Sequence, residues 1–104
     1  MLIFVTFVIF EIKWIMEATL INKEDIRHLT FFNKEKVIQH TDILQQIERA
    51  TTLGNSFKTK VSILFQDDQS IKKVETTTWA VGSKFICLKG GIWIPISRLI
   101  EIKS

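Results

Sequence analysis

The sequence is short of the residues that cross-link or punctuate a chain. It has one cysteine, one proline, four glycines and two histidines. A lone cysteine, Cys87, makes no internal disulfide, which fits a reducing compartment and a cytoplasmic protein. Cys87 stands mid-strand among apolar residues with no partner base, so it reads as an inert buried thiol. His28 and His40 are twelve residues apart, with no cysteine or glutamate beside them at zinc-ligand spacing, and no metal is expected. Gly90-Gly91 precedes no helix N-terminus, which excludes a phosphate loop. Asp67 and Asp68 are adjacent carboxylates, a pairing that can bind metal or do acid–base work. They sit in the polar stretch Asp67-Gln69-Ser70, and turns favour aspartate for local reasons. No constellation commits the chain to a reaction, so neither an enzyme nor a cofactor is expected.

Apolar runs are also too short for a membrane span. Leu2 to Phe10 is nine residues with only Thr6 polar, against the ~20 that a span needs. Glu11 and Lys13 end the run. No basic residue precedes it and no small-residue cleavage site follows, so it does not read as a signal peptide. Residues 1–15 are either a real apolar strand or anchor, or an extension before a start at Met16; the second is the expectation, with residues 1–15 dispensable. Unless residues 1–10 are a real anchor, no membrane partner is expected. Residues 16–104 then form one domain with a modest core.

What is there is a run of strand signals in the last third. Val74 to Ile102 is β-branched and aromatic, interrupted by Gly82-Ser83 and Gly90-Gly91. Two two-residue turns give a meander of Val74–Val81, Lys84–Lys89 and Ile92–Ile96. In that register Val81 faces Lys84, Trp79 faces Ile86, Leu88 faces Trp93 and Cys87 faces Ile94. One face then carries Trp79, Ile86, Leu88, Trp93 and Pro95, the other Ala80, Phe85, Cys87, Ile94 and Ile96. Both are apolar, so both need cover, and Trp79 should be largely buried. Pro95 marks an edge or an end of pairing. A short turn at Ile96–Leu99 leads into a last strand, Leu99–Ile102.

Upstream, Phe57 to Gln66 alternates cleanly, with Phe57, Thr59, Val61, Ile63 and Phe65 on one face. Ile71 opens a long second strand. Residues 22–54 read as helical. Asn22 caps Lys23–Leu29, Asn33 is a cap for Lys34–His40, and Thr41-Asp42 precedes a longer helix. Ile43, Leu44, Ile47 and Ala50 recur at helical spacing, and Gly54 stands where a terminating glycine belongs. The fold expected is α+β, mainly β: N-terminal helices packed on about five antiparallel strands over 56–104.

That order resembles an Sm-like or SH3-like barrel. The residues that carry the likeness are Phe85–Lys89, Gly90-Gly91 and Ile94–Ile102. In Sm-like proteins, among them the Hfq and Rof families, a strand, tight loop, strand, short turn and strand close a barrel behind a helix. The loop motif with which Hfq-type proteins contact RNA is not present, so their RNA sites do not carry over. Glu48 to Asn55 (ERATTLGN), with VETTTWA and LKGGIWIPI, also resembles a family of small uncharacterised Bacteroidota proteins, a likeness that implies no particular activity.

Charge is the remaining signal. Residues 57–104 hold eight Lys/Arg and four Asp/Glu, while residues 1–56 hold six and seven. Lys58, Lys60, Lys72 and Lys73 are expected to converge on the first two strands, where a basic face with aromatics could bind RNA or single-stranded DNA. A solvated lysine face that keeps the protein soluble is the plainer reading. Two functions from different classes follow. One is a nucleic-acid-binding or transcription-machinery adaptor. The other is a protein-interaction module or homo-oligomer acting through Trp79, Ile86, Leu88 and Trp93.

Overall fold

The computed structural model describes residues 18–104; the readings made for residues 1–15 lie outside them. The strands are β1 (Thr19–Ile21), β2 (Val61–Gln66), β3 (Ile71–Thr76), β4 (Thr78–Val81), β5 (Phe85–Leu88), β6 (Ile92–Pro95) and β7 (Leu99–Lys103). One α-helix, α1 (Ile43–Phe57), and two 3-10 turns, Lys23–His28 and Ile96–Arg98, complete the elements of the described residues. The fold is α+β and mostly strand, as expected. The strands form two sheets, in the orders β1-β3-β2-β7 and β4-β5-β6. All pairs are antiparallel except β1 with β3, a parallel pairing not foreseen from the sequence.

The long second strand expected from Ile71 is broken at Thr77. β3 stays in the first sheet and β4 enters the second, so one near-continuous strand turns the corner between them. The main core fills that corner. Val61, Ile63, Phe65, Val74, Leu99 and Ile102 face Ile86, Leu88, Ile92 and Ile94, with Ile43, Ile47 and Ala50 of α1 closing one side. Alternation along β2 follows the expected inward face from Val61 on, but Phe57 ends α1 and is exposed.

Three expectations upstream are corrected. Lys34–His40 is not helical. Asp68 accepts from the Phe32 and Asn33 N–H groups at 3.0 and 2.7 Å, and Arg98 Nη1 donates to the Glu35 carbonyl at 2.8 Å. Gln39 Nε2 donates to the Ile96 and Leu99 carbonyls, and the His40 N–H to Ile100. These long-range bonds hold the segment open, outweighing a weak helical propensity. Leu44 points outward and is 70% exposed, while Ile43, Ile47 and Ala50 carry the buried face. Gly54 lies inside α1, which runs on to Phe57 and is closed by Lys58 in the left-handed region.

The meander register also differs. Between β5 and β6 the loop is Lys89-Gly90-Gly91, both glycines at positive φ, so Leu88 faces Ile92 and Cys87 faces Trp93. One extra loop residue slips the register by one and sends every β6 side chain to the opposite face. Between β4 and β5, Val81 faces Ile86, and a bulge between Thr78 and Ala80 turns Trp79 outward. Hence Ile86 and Leu88 are fully buried, while Trp79 and Trp93 are 46% and 52% exposed. The four residues expected on one face are divided between core and surface, and Trp79 is not buried. Pro95 does end β6, an outer strand of its sheet.

Candidate functional site

Where α1 meets the corner at Thr77, the backbone itself builds a groove. Gly54 is buried under β4, and a Cβ there would collide with the Thr78 carbonyl. Only glycine lets the end of α1 come this close to a strand. The helix stops at Lys58, at φ 54°, whose N–H donates to the Gly54 carbonyl at 3.1 Å. The chain then doubles back through Lys60 into β2. From the other side, the Lys89 N–H donates to the Thr77 carbonyl at 2.9 Å. Two chain segments distant in sequence thereby meet at Thr77 and Thr78, and each carries lysine. The result is a concavity of about 440 Å³ lined by Asn55, Lys58, Lys60, Thr77, Trp79 and Lys89.

No carboxylate among the described residues lines this groove. Lys58, Lys60 and Lys89 make no ion pair or side-chain hydrogen bond among the described residues. A smaller adjoining hollow of about 300 Å³ shares Lys60, Thr77 and Lys89 and adds Lys23, Glu24 and Glu75. There Lys23 Nζ pairs with Glu24 at 3.1 Å. Among the described residues, then, the Trp79 side carries lysines without carboxylates, while the β1 side holds both. Trp79 presents half its surface at the rim, an aromatic plane beside three cationic groups.

The four lysines singled out from the sequence do not converge. Lys58 and Lys60 line the groove. Lys72 is the second residue of β3, four residues from Thr76, about 13 Å along the strand. Its ammonium is bound to Asp67 Oδ2 at 2.9 Å and Ser70 Oγ at 2.6 Å. Lys73 lies on the outer side of the first sheet, across from Leu64 and Leu20. The third lysine of the groove is Lys89, a strand-end residue before a double glycine. Its partner is set by a long-range backbone bond, and only the excess of positive charge in the second half of the chain hinted at it.

Asp67, Asp68 and Arg98 hold turns and loops in place. Asp67 Oδ1 accepts from the Gln69 and Ser70 N–H groups at 2.8 and 2.7 Å. Burial pushes its carboxyl up, but the bonds from Ser70, Lys72 and Gln69 outweigh it and hold the pKa below the usual range. Asp68 is likewise lowered, by the bonds from Asn33, Thr30 and Phe32 and by the Arg98 charge. Arg98 is buried, its Nε donating to the Gln66 carbonyl at 3.0 Å. Cys87 is buried, with Sγ 3.6 Å from the Leu88 carbonyl. His28 is exposed, and His40 Nδ1 accepts the Asp42 N–H at 3.1 Å. No group of three His, Cys, Asp or Glu that could hold a metal occurs among the described residues. No described helix is long and apolar enough to cross a membrane.

Comparison with known proteins gives no match: no protein-family model, no curated protein and no solved structure. The reading of the groove therefore rests on its own chemistry.

Proposed function

We propose that the protein is a small nucleic-acid-binding adaptor that takes a short single-stranded segment in the Lys58/Lys60/Lys89 groove. The single observation that carries the reading is three lysines with no ion pair among the described residues and a half-exposed tryptophan around one concavity. The ammonium groups replace the counterions condensed on the phosphates, which are released to solvent, and a base stacks on Trp79. Stacking is tolerant of sequence, because every base has a π-face, so little base preference is expected. An Sm-like architecture fits the same reading. The order is helix, strand pair bent at Thr77, hairpin, 3-10 turn and a last strand that pairs back onto β2. Such small barrels often serve as binding platforms, an analogy of fold and not of site.

A second reading has its own support. Trp79, Val81, Phe85 and Trp93 are all exposed on β4 to β6, enough apolar surface for a protein contact. A ring built by pairing β7 with another chain is disfavoured, because its outer edge is already used. The Ile102 N–H donates to Gln46 Oε1 at 2.9 Å, and the Ile100 carbonyl accepts from His40.

Fluorescence anisotropy with labelled oligo(dT) and oligo(rU) at low salt tests the proposal. Binding that is lost in the Lys58→Glu, Lys60→Glu, Lys89→Glu triple variant supports it. No binding by the wild type, or full binding by the variant, rejects it. A partner retained at high salt favours the apolar surface instead.

A further inference from the structure

The outer face of the second sheet carries a second tryptophan, level with the one at the groove. Ile86, Leu88, Ile92 and Ile94 fill the main core, so by alternation Phe85, Cys87 and Trp93 point the other way. Cys87 on β5 faces Trp93 on β6 and Ala80 on β4, and Trp79 stands beside Ala80 in the bulge. The two tryptophans therefore sit at one level on the two outer strands of the sheet. Two strand spacings place their backbones about 10 Å apart. Trp79, Phe85 and Trp93 are each about half exposed, while Cys87 between them is buried. Rings gathered on one sheet face mark a contact surface, unlike single apolar side chains scattered over a molecule.

We propose that Trp93 is a second stacking position for the single strand held in the lysine groove, which leaves Trp79 and crosses the sheet to it. The inference rests on the nucleic-acid reading of the groove. Charge selects this occupant. From Thr76 to Ile100 the sequence holds Lys84, Lys89 and Arg98 and no Asp or Glu. Two hollows border the face, one of about 440 Å³ beside Trp79 and one of about 450 Å³ beside Phe85 and Pro95. Both carry lysine, and neither is lined by a described carboxylate. A second copy of the chain fits poorly, because a twofold interface presents the same patch from both sides. Lys84 and Lys89 would then meet their own counterparts, and like charges across an interface are repulsive. A polyanion that carries flat rings matches both the charge and the aromatic surface. Stacking on Trp93 adds affinity for any base and adds no phosphate contact.

The test uses the full chain and oligo(dT) of about twelve nucleotides, within the usual range of single-strand site sizes. Trp93→Ala should weaken binding about fivefold or more. It should leave the salt slope unchanged, because no phosphate contact is lost. Trp93→Phe, which keeps a ring, should recover part of the loss. An independent readout uses the same oligonucleotide with 5-iodouracil in place of thymine, photolysed in complex with the wild type. Mass spectrometry should find cross-links on Trp93 as well as Trp79. Wild-type affinity in a folded Trp93→Ala variant, or no cross-link on Trp93, overturns the inference. If the Lys58→Glu, Lys60→Glu, Lys89→Glu variant has lost binding in that same experiment, the groove reading stands and only the second position falls. No binding by the wild type removes both. A shallower salt slope in Trp93→Ala also overturns the inference, because the change would then act on the lysines. So does a dimer in light scattering that Trp93→Ala dissociates, which assigns the face to a second copy. If Trp93→Ala melts at a lower temperature than the wild type, the cross-link alone decides.

Discussion

The Lys89 N–H donates to the Thr77 carbonyl at 2.9 Å, and Thr77 is also where the bent strand passes from one sheet to the other. That bond sets a lysine from the β5–β6 loop beside Lys58 and Lys60 from the end of α1. The groove thus exists because a strand break offers an unpaired carbonyl at the fold's corner.

If three phosphates contact the groove, binding should weaken with a log–log salt slope of about −2 for a single strand. Each of Lys58→Ala, Lys60→Ala and Lys89→Ala should lower that slope by about 0.7. Lys72→Ala should leave it unchanged, because its ammonium is already held by Asp67. A salt titration of oligonucleotide binding in the four variants checks this, and an equal effect from Lys72→Ala would show that the groove has been misidentified.

Trp79 stands at the rim and not in the core. Trp79→Ala should cost about 1 kcal/mol or less in urea unfolding, while Ile86→Ala should cost about 2–5 kcal/mol. The same Trp79 change should weaken oligonucleotide binding by about 1–3 kcal/mol if a base stacks there. A large stability loss with unchanged binding would reverse the assignment.

Gly54→Ala opposes two effects of known sign. Helix propensity favours alanine by about 1 kcal/mol. Against it, the new methyl group meets the Thr78 carbonyl, a rigid backbone atom. The helix must back away from β4, and overpacking of this kind costs about 1–3 kcal/mol. A net loss of stability is expected, and with it a wider groove. Equal or higher thermal stability of the variant would count against the close approach.

Acid should unfold the protein through Asp67 and Asp68. Both carboxyls are held below their ordinary values in the fold. Their contribution is therefore present above the unfolded pKa of about 3.9 and is lost as pH falls through the lowered folded values. Asp68→Asn removes one such group and weakens the anchor of Phe32 and Asn33. Unfolding midpoints measured between neutral and acid pH should fall less steeply in Asp68→Asn than in the wild type. Parallel curves would mean that Asp68 is not coupled to folding.

The architecture was legible wherever it depended on local pattern. Alternation from Val61 to Phe65 marked β2, the Ile43, Ile47, Ala50 spacing marked α1, and Asp67 to Ser70 marked the turn. Pro95 marked the end of β6. Loop length was less readable. Gly-Gly marks positive φ, but whether Lys89 belongs to the strand or the loop depends on which side chains the opposite sheet receives. Ile94 fills the space above Ile86, so the loop takes the third residue and the tryptophans move outside.

The groove was half legible. Lys58 and Lys60 are neighbours in sequence, and a basic second half of the chain pointed to them. Lys89 could not be joined to them, because their meeting depends on a bend at Thr77 and one backbone bond across the fold. Lys72 was drawn off by Asp67, a contact set by the turn between β2 and β3. The chain alone determined which segments can be strand or helix, since periodicity and turn chemistry act over a few residues. The tertiary structure decided which faces are buried and which charges meet. Those depend on register, bulges and long-range bonds, whose free energies arise only once distant segments touch.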